Sequence, residues 1–196
     1  QVIDAAMVDG AAQLMWMFHG FQAMGAWDET RREANMLDGA MHFYDTYECA
    51  DGEYVSIGSI EPQFYALLMQ YAELDPEVFG NQHDRERLPE MKAALSEIMK
   101  SKTQAEWCEI MEGTDVCFAP VLNFMDAPKH PANVARNTYI EIDGVTQPAP
   151  APRFSRTPSA VSHGARGVGE DTDAMLAAMG FETQEIAGLR EAGSIG

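Results

Sequence analysis

Glu61 stands where an apolar run meets a proline, in the stretch IGSIEPQFY from Ile57 to Tyr65. Pro62 suits the first position of a helix, because its φ is already close to helical and its missing N–H would have had no partner there. A carboxylate just before that position faces unpaired backbone donors and the positive end of the helix dipole, and both favour its charged form. Kept ionised beside a ligand, such a group is a usable general base when the substrate places a proton within hydrogen-bonding reach. The same placement also serves helix stability alone, since acidic side chains are common in first turns. The local pattern leaves both roles open.

The other chemistry-bearing residues form no constellation. His19, His42, His83, His130 and His163 are scattered, and none pairs with a Cys or Asp at ligand or triad spacing. His19, among apolar neighbours, reads as a satisfied core histidine. Cys49, Cys108 and Cys117 are odd in number, far apart and without metal-type spacing, which points to a reducing compartment with neither a disulfide framework nor a metal site. The run GARGVGED from Gly164 has the wrong order for a dinucleotide loop and follows no convincing strand, so it reads as a plain loop. Thirteen methionines are many for this length, and Met7, Met15, Met17, Met24 and Met36 cluster near the start. Flexible thioethers fill irregular core gaps or build an adaptable apolar surface.

Positioning these groups requires elements, and the chain signals several. Val2 to about Met24 is apolar on more than one helical face, so a helix there expects partners on most sides. Side chains alternate around Asp51-Gly52, the signature of a hairpin with strands near Phe43 to Cys49 and Glu53 to Ile60. A helix starts at Pro62, where Phe64, Leu67, Leu68 and Tyr71 share one face. Another runs from about Leu88 to Met99, and Thr103 with Glu106 has capping-box spacing for a third. VCFAPVLNF resembles a short buried strand. Seven of the ten prolines fall between Pro120 and Pro158, an extended crossing segment. Two short helices close the chain, with Asp171 and Thr183 as candidate caps.

The resulting class is α/β: a helical linker over 1–42, a small α+β domain over 43–127, an extended Pro-rich return linker over 128–158 and C-terminal helices over 159–196. Forty-six per cent hydrophobic content over 196 residues supports a real core. A formal charge of −18 without a Lys/Arg stripe argues against nucleic acid as a partner. The most apolar stretch, from Ala11 to Trp27, is shorter than the roughly 20 residues a bilayer needs and is interrupted by Gln13, His19 and Gln22, so no membrane partner is expected. Beginning with Gln1 and entering a helix at once, the chain reads as a piece of a longer protein.

Taken together, QVIDAAMVDGA, ANMLDGAMHFYDTYECADGEYVSIGSIEPQFY, EGTDVCFAPVL, GEDTDAMLAAMGF and EIAGLREAGSI resemble the α-methylacyl-CoA racemases, a branch of the family III CoA-transferase fold. The resemblance implies an interlocked dimer whose Rossmann-like large domain is mostly absent from this chain. In such enzymes one group removes the α-proton of a 2-methylacyl-CoA thioester, another returns a proton on the opposite face, and an enolate lies between. A Glu at the position of Glu61 is one of the two groups, and a His with an Asp, which neither His19 nor His42 matches, is the other. The resemblance further implies a homodimer with a shared active site, acyl-CoA as substrate with no resident cofactor, and a methionine-rich acyl surface to which Met7, Met17 and Met36 are assigned. The chain alone is then expected to be inactive, and to be cytoplasmic if bacterial. Two rival readings stay open: a CoA-transferase moving CoA between carboxylic acids, and a non-catalytic module docking through the apolar first helix.

Overall fold

The computed structural model describes all of residues 1–196. The chain divides into two compact units, Gln1–Leu122 and Asn123–Gly196.

In the first unit, alternation around Asp51-Gly52 produces the expected hairpin. Strand β1 (Tyr44–Glu48) pairs antiparallel with β2 (Tyr54–Gly58), Tyr47 opposite Val55. Gly52 takes φ +80°, a left-handed conformation that favours glycine because a Cβ would be strained there. β3 (Phe118–Val121) adds to the other side of β2, giving the order β1-β2-β3. It was expected to be buried, but it is an edge strand whose residues are half-buried or exposed. Pro120 explains this, since a residue with no N–H to give is tolerated at an edge.

Four helices pack with the sheet: α3 (Pro62–Tyr71), α4 (Pro76–Phe79), α5 (Leu88–Met99) and α6 (Gln104–Met111), numbered after two N-terminal helices. α5 buries Met91, Leu95 and Met99, spaced by four so that they stack on one face. α3 turns Tyr65 and Leu68 fully inward and leaves Phe64, Leu67 and Tyr71 half-buried, a face slightly rotated from the one its spacing suggested. The α6 capping box forms as expected: Thr103 N–H donates to the Glu106 carboxylate at 2.8 Å, and Glu106 N–H donates to Thr103 Oγ1 at 3.3 Å. Trp107, Phe43, Phe79 and Leu68 anchor the core with Val55 and Ile57 of β2.

The N-terminal region departs most from expectation. One helix with partners on most sides was foreseen; two short ones form, α1 (Met7–Leu14) and α2 (Trp16–Ala23), and neither has a buried residue. The helical hydrogen bonding tightens at the junction, where Met15 N–H donates to Ala12 O at 3.1 Å. Phe18 instead packs edge-on against Phe21 and Trp27. His19, expected in the core, is exposed on α2, because nothing in this unit covers that helix.

In the second unit, α7 (Pro131–Ala135) is followed by β4 (Tyr139–Ile142) and β5 (Val145–Pro148), an antiparallel hairpin inside the stretch read as an extended linker. Its turn is Asp143-Gly144, at φ +53° and +78°, a signal of the same kind as Asp51-Gly52 that the proline content had masked. α8 (Thr172–Ala178) and α9 (Thr183–Glu191) end the chain. The cap of α9 is Glu182, one residue before the expected Thr183, in a capping box with Glu185; Asp171 precedes α8 without making a side-chain cap. Ile186 is the one fully buried residue of this unit.

Candidate active site at the start of α3

Glu61 sits between β2 and α3 as the N-cap residue, with extended backbone at φ −74° and ψ 144°. Its carbonyl accepts from Tyr65 N–H at 2.9 Å and Phe64 N–H at 3.0 Å, so the backbone opens the helix. The exposed carboxylate makes no capping hydrogen bond. No side-chain hydrogen bond therefore ties the carboxylate to the first turn of α3.

The approach to Glu61 is held from several sides. Val55, Ile57 and Ser59 alternate inward from β2 and are all buried. Ser59 N–H donates to Phe43 O at 3.0 Å, and the Ser59 hydroxyl donates to Val116 O. The side-chain amide of Gln82, itself buried, donates to Ser59 O at 3.1 Å and to Ile60 O at 2.9 Å. Gly58 N–H donates to Cys117 O at 2.9 Å, which ties the exit of β2 to the residue before β3.

On the far side, Tyr65 connects α3 to the core. Its hydroxyl donates to Phe79 O at 2.8 Å and lies 2.8 Å from His42 Nε2, while Tyr47 donates to His42 O at 2.6 Å. Burial raises the Tyr65 hydroxyl well above its ordinary range. It lowers His42 to about 4, with His83 contributing further. His42 is thus a neutral core histidine, the role the sequence assigned to His19.

Cys117 is exposed, has φ +59°, and interacts electrostatically with Glu61. Partial burial raises its thiol, with Glu61 and Asp115 adding to the effect, so the group stays protonated and is no ready nucleophile. It also lines a cleft of about 560 Å³ with Tyr44, Ser56, Gly58 and Phe118. Glu61 stands outside this cleft, with Cys117 common to both surroundings. Met7 lies on α1, Met17 on α2 and Met36 in the loop before β1, all exposed. The three methionines thus occupy separate elements, none of them β2 or α3. No group of three or more His, Cys, Asp or Glu side chains is arranged to hold a metal ion, and no helix is long and apolar enough to cross a membrane.

Sequence reasoning singled out Glu61 but not Ser59, Gln82 or Cys117 near it, nor the bond of His42 to Tyr65. Only Pro62 offered a local signal; the other contacts join residues far apart in the chain.

The chain is 45% identical over 193 residues to a mouse protein named alpha-methylacyl-CoA racemase, covering 96% of this chain and 50% of the mouse protein. It is 40% identical over 188 residues to the human protein of that name, covering 95% and 49%. The chain therefore spans about half the length of the curated relatives it matches. Among solved structures, Rv3272 of Mycobacterium tuberculosis superposes with a TM-score of 0.62 at 17% identity, over 83% of this chain and 42% of that one, a likeness of fold. Residues 1–172 match CoA-transferase family III, and the chain belongs to that family.

Proposed function

We propose that this chain supplies one of the two proton-transfer groups of an α-methylacyl-CoA racemase, with Glu61 as an acid/base. The observation that carries this reading is the Glu61 carboxylate itself: exposed, uncommitted to helix capping, and set on a buried polar framework at a helix N-terminus. Accepting the α-proton of a 2-methylacyl-CoA, it breaks the C–H bond and sends that electron pair into the thioester carbonyl as an enolate. A proton delivered to the opposite face then gives the other epimer. Both transfers need groups within hydrogen-bonding reach of the same carbon, on opposite sides. The second group, a His–Asp pair by family resemblance, belongs to sequence outside these residues, in a homodimer whose sites are shared. The acyl chain rests on Met7, Met17 and Met36, and no resident cofactor takes part.

The test uses the complete gene product with each epimer of a 2-methylacyl-CoA in deuterated water, comparing wild type with Glu61→Gln for inversion and α-deuterium uptake. Loss of inversion with continued exchange from one epimer is the expected result. Equal inversion by both proteins would reduce Glu61 to a helix-terminal carboxylate. A wild type that moves CoA to a free acid, without exchange, would replace the racemase reading by a transferase.

A further inference from the structure

A carboxylate with no hydrogen bond of its own at the helix start is aimed by its backbone, and two peptide groups set that backbone. The carbonyls of Ser59 and Ile60, immediately before Glu61, both accept from the single side-chain nitrogen of Gln82, at 3.1 and 2.9 Å. Both partners being carbonyl oxygens, only the nitrogen end of the amide fits there. Its two hydrogens serve two consecutive peptides, so rotation of either would break a bond. Gln82 is 9% exposed and Ser59 is 0% exposed, which shields these bonds from water. The loop after α4 thereby grips the exit of β2.

We propose that Gln82 is a positioning residue for Glu61, its amide fork holding the Ser59 and Ile60 carbonyls so that the carboxylate enters α3 at one fixed place. The proposal rests on the reading of Glu61 as an acid/base. Proton transfer to and from carbon tolerates little error, and a misplacement of about 1 Å can lower a rate on the order of 100-fold. Gln82 touches backbone rather than substrate, so its loss acts on the rate of proton transfer more than on binding. It also acts on one face of the substrate only.

The complete gene product serves for the test, with α-deuterium uptake measured separately from each epimer for wild type, Glu61→Gln, Gln82→Met and the double variant. Methionine keeps the approximate length of the side chain and removes both donors. Gln82→Met is expected to slow exchange on the order of 10-fold to 100-fold for the epimer that Glu61→Gln silences, in kcat more than KM. The opposite epimer should exchange near the wild-type rate, and the double variant should lose nothing beyond Glu61→Gln. The ratio of the two rates cancels the fraction of folded enzyme, so a general structural defect would lower both alike. Both rates falling together, or neither falling, overturns the positioning role and leaves Glu61 standing. Should Glu61→Gln itself leave both epimers exchanging as wild type, the acid/base reading falls and this proposal with it. If Gln82→Met yields no folded protein, Gln82→Asn, which keeps the amide but draws it back by one methylene, is read by the same ratio.

Discussion

Acidification to about pH 4 should remove about 3 kcal/mol of stability from the first unit through His42 alone. The Tyr65 hydroxyl has one proton and donates it to Phe79 O, so the 2.8 Å contact with His42 must run from Nε2–H to the Tyr65 oxygen. Nδ1 is then the bare nitrogen, buried and without a partner. A second proton there would place a cation at a site of 0% exposure, among the rings of Phe43, Tyr65 and Phe79 and near His83. Burial first, and His83 second, lowers the group from 6.5 to about 4. The unfolded chain therefore binds this proton before the folded one does. Stability is complete above about pH 6.5, declines by about 1.4 kcal/mol per pH unit below it, and levels off near pH 4.

Urea denaturation, followed by the fluorescence of buried Trp107 across this range, measures the slope. His42→Gln keeps a donor for Tyr65 but does not titrate, so its stability should run flatter with pH, whatever it loses at neutrality. Carboxylates held low in the fold, such as Asp28 at about 2 and Asp38, weaken it only as pH falls toward and below their ordinary value of 3.8, beneath most of the His42 window. Parallel curves for wild type and His42→Gln between about pH 6.5 and 4.5 would refute the tautomer argument.

Thr103→Ala should cost about 1 kcal/mol, read as a lower urea midpoint with unchanged denaturant dependence, because it removes one side of the α6 capping box; a stability equal to wild type would mean water replaces the cap. Of the three free cysteines, exposed Cys117 should react first with a maleimide, and Cys49, buried and raised to about 11, only on unfolding. Cys117→Ser should therefore remove the fastest labelling phase, and a fast phase that survives would contradict the placement of Cys117.

Much of the first unit was legible because its signals are local. A turn at Asp51-Gly52, a proline at the first position of α3 and a Thr/Glu pair three apart each act over a few residues. Apolar composition marks the N-terminal segment as one that expects partners, and nothing in this unit covers α1 or α2, because what is brought against a helix is decided outside its own sequence. The β4–β5 hairpin was hidden because proline content outweighed its Asp-Gly turn. His42 rather than His19 is the core histidine for the same reason: apolar neighbours in sequence do not decide which histidine the core encloses.

At the site, the sequence by itself determined that a carboxylate would precede a helix at Pro62 and, through the resemblance, which family it belongs to. Tertiary structure decided everything that holds that carboxylate. Gln82 reaches Ser59 and Ile60 across 23 and 22 positions, His42 meets Tyr65 across 23, and Ser59 bonds Val116 across 57. These bonds connect groups that no short spacing links, and they persist because burial removes the water that would compete for them. Whether Glu61 caps its own helix was likewise undecided by residue type, since its backbone alone can start α3 and leave the side chain outside.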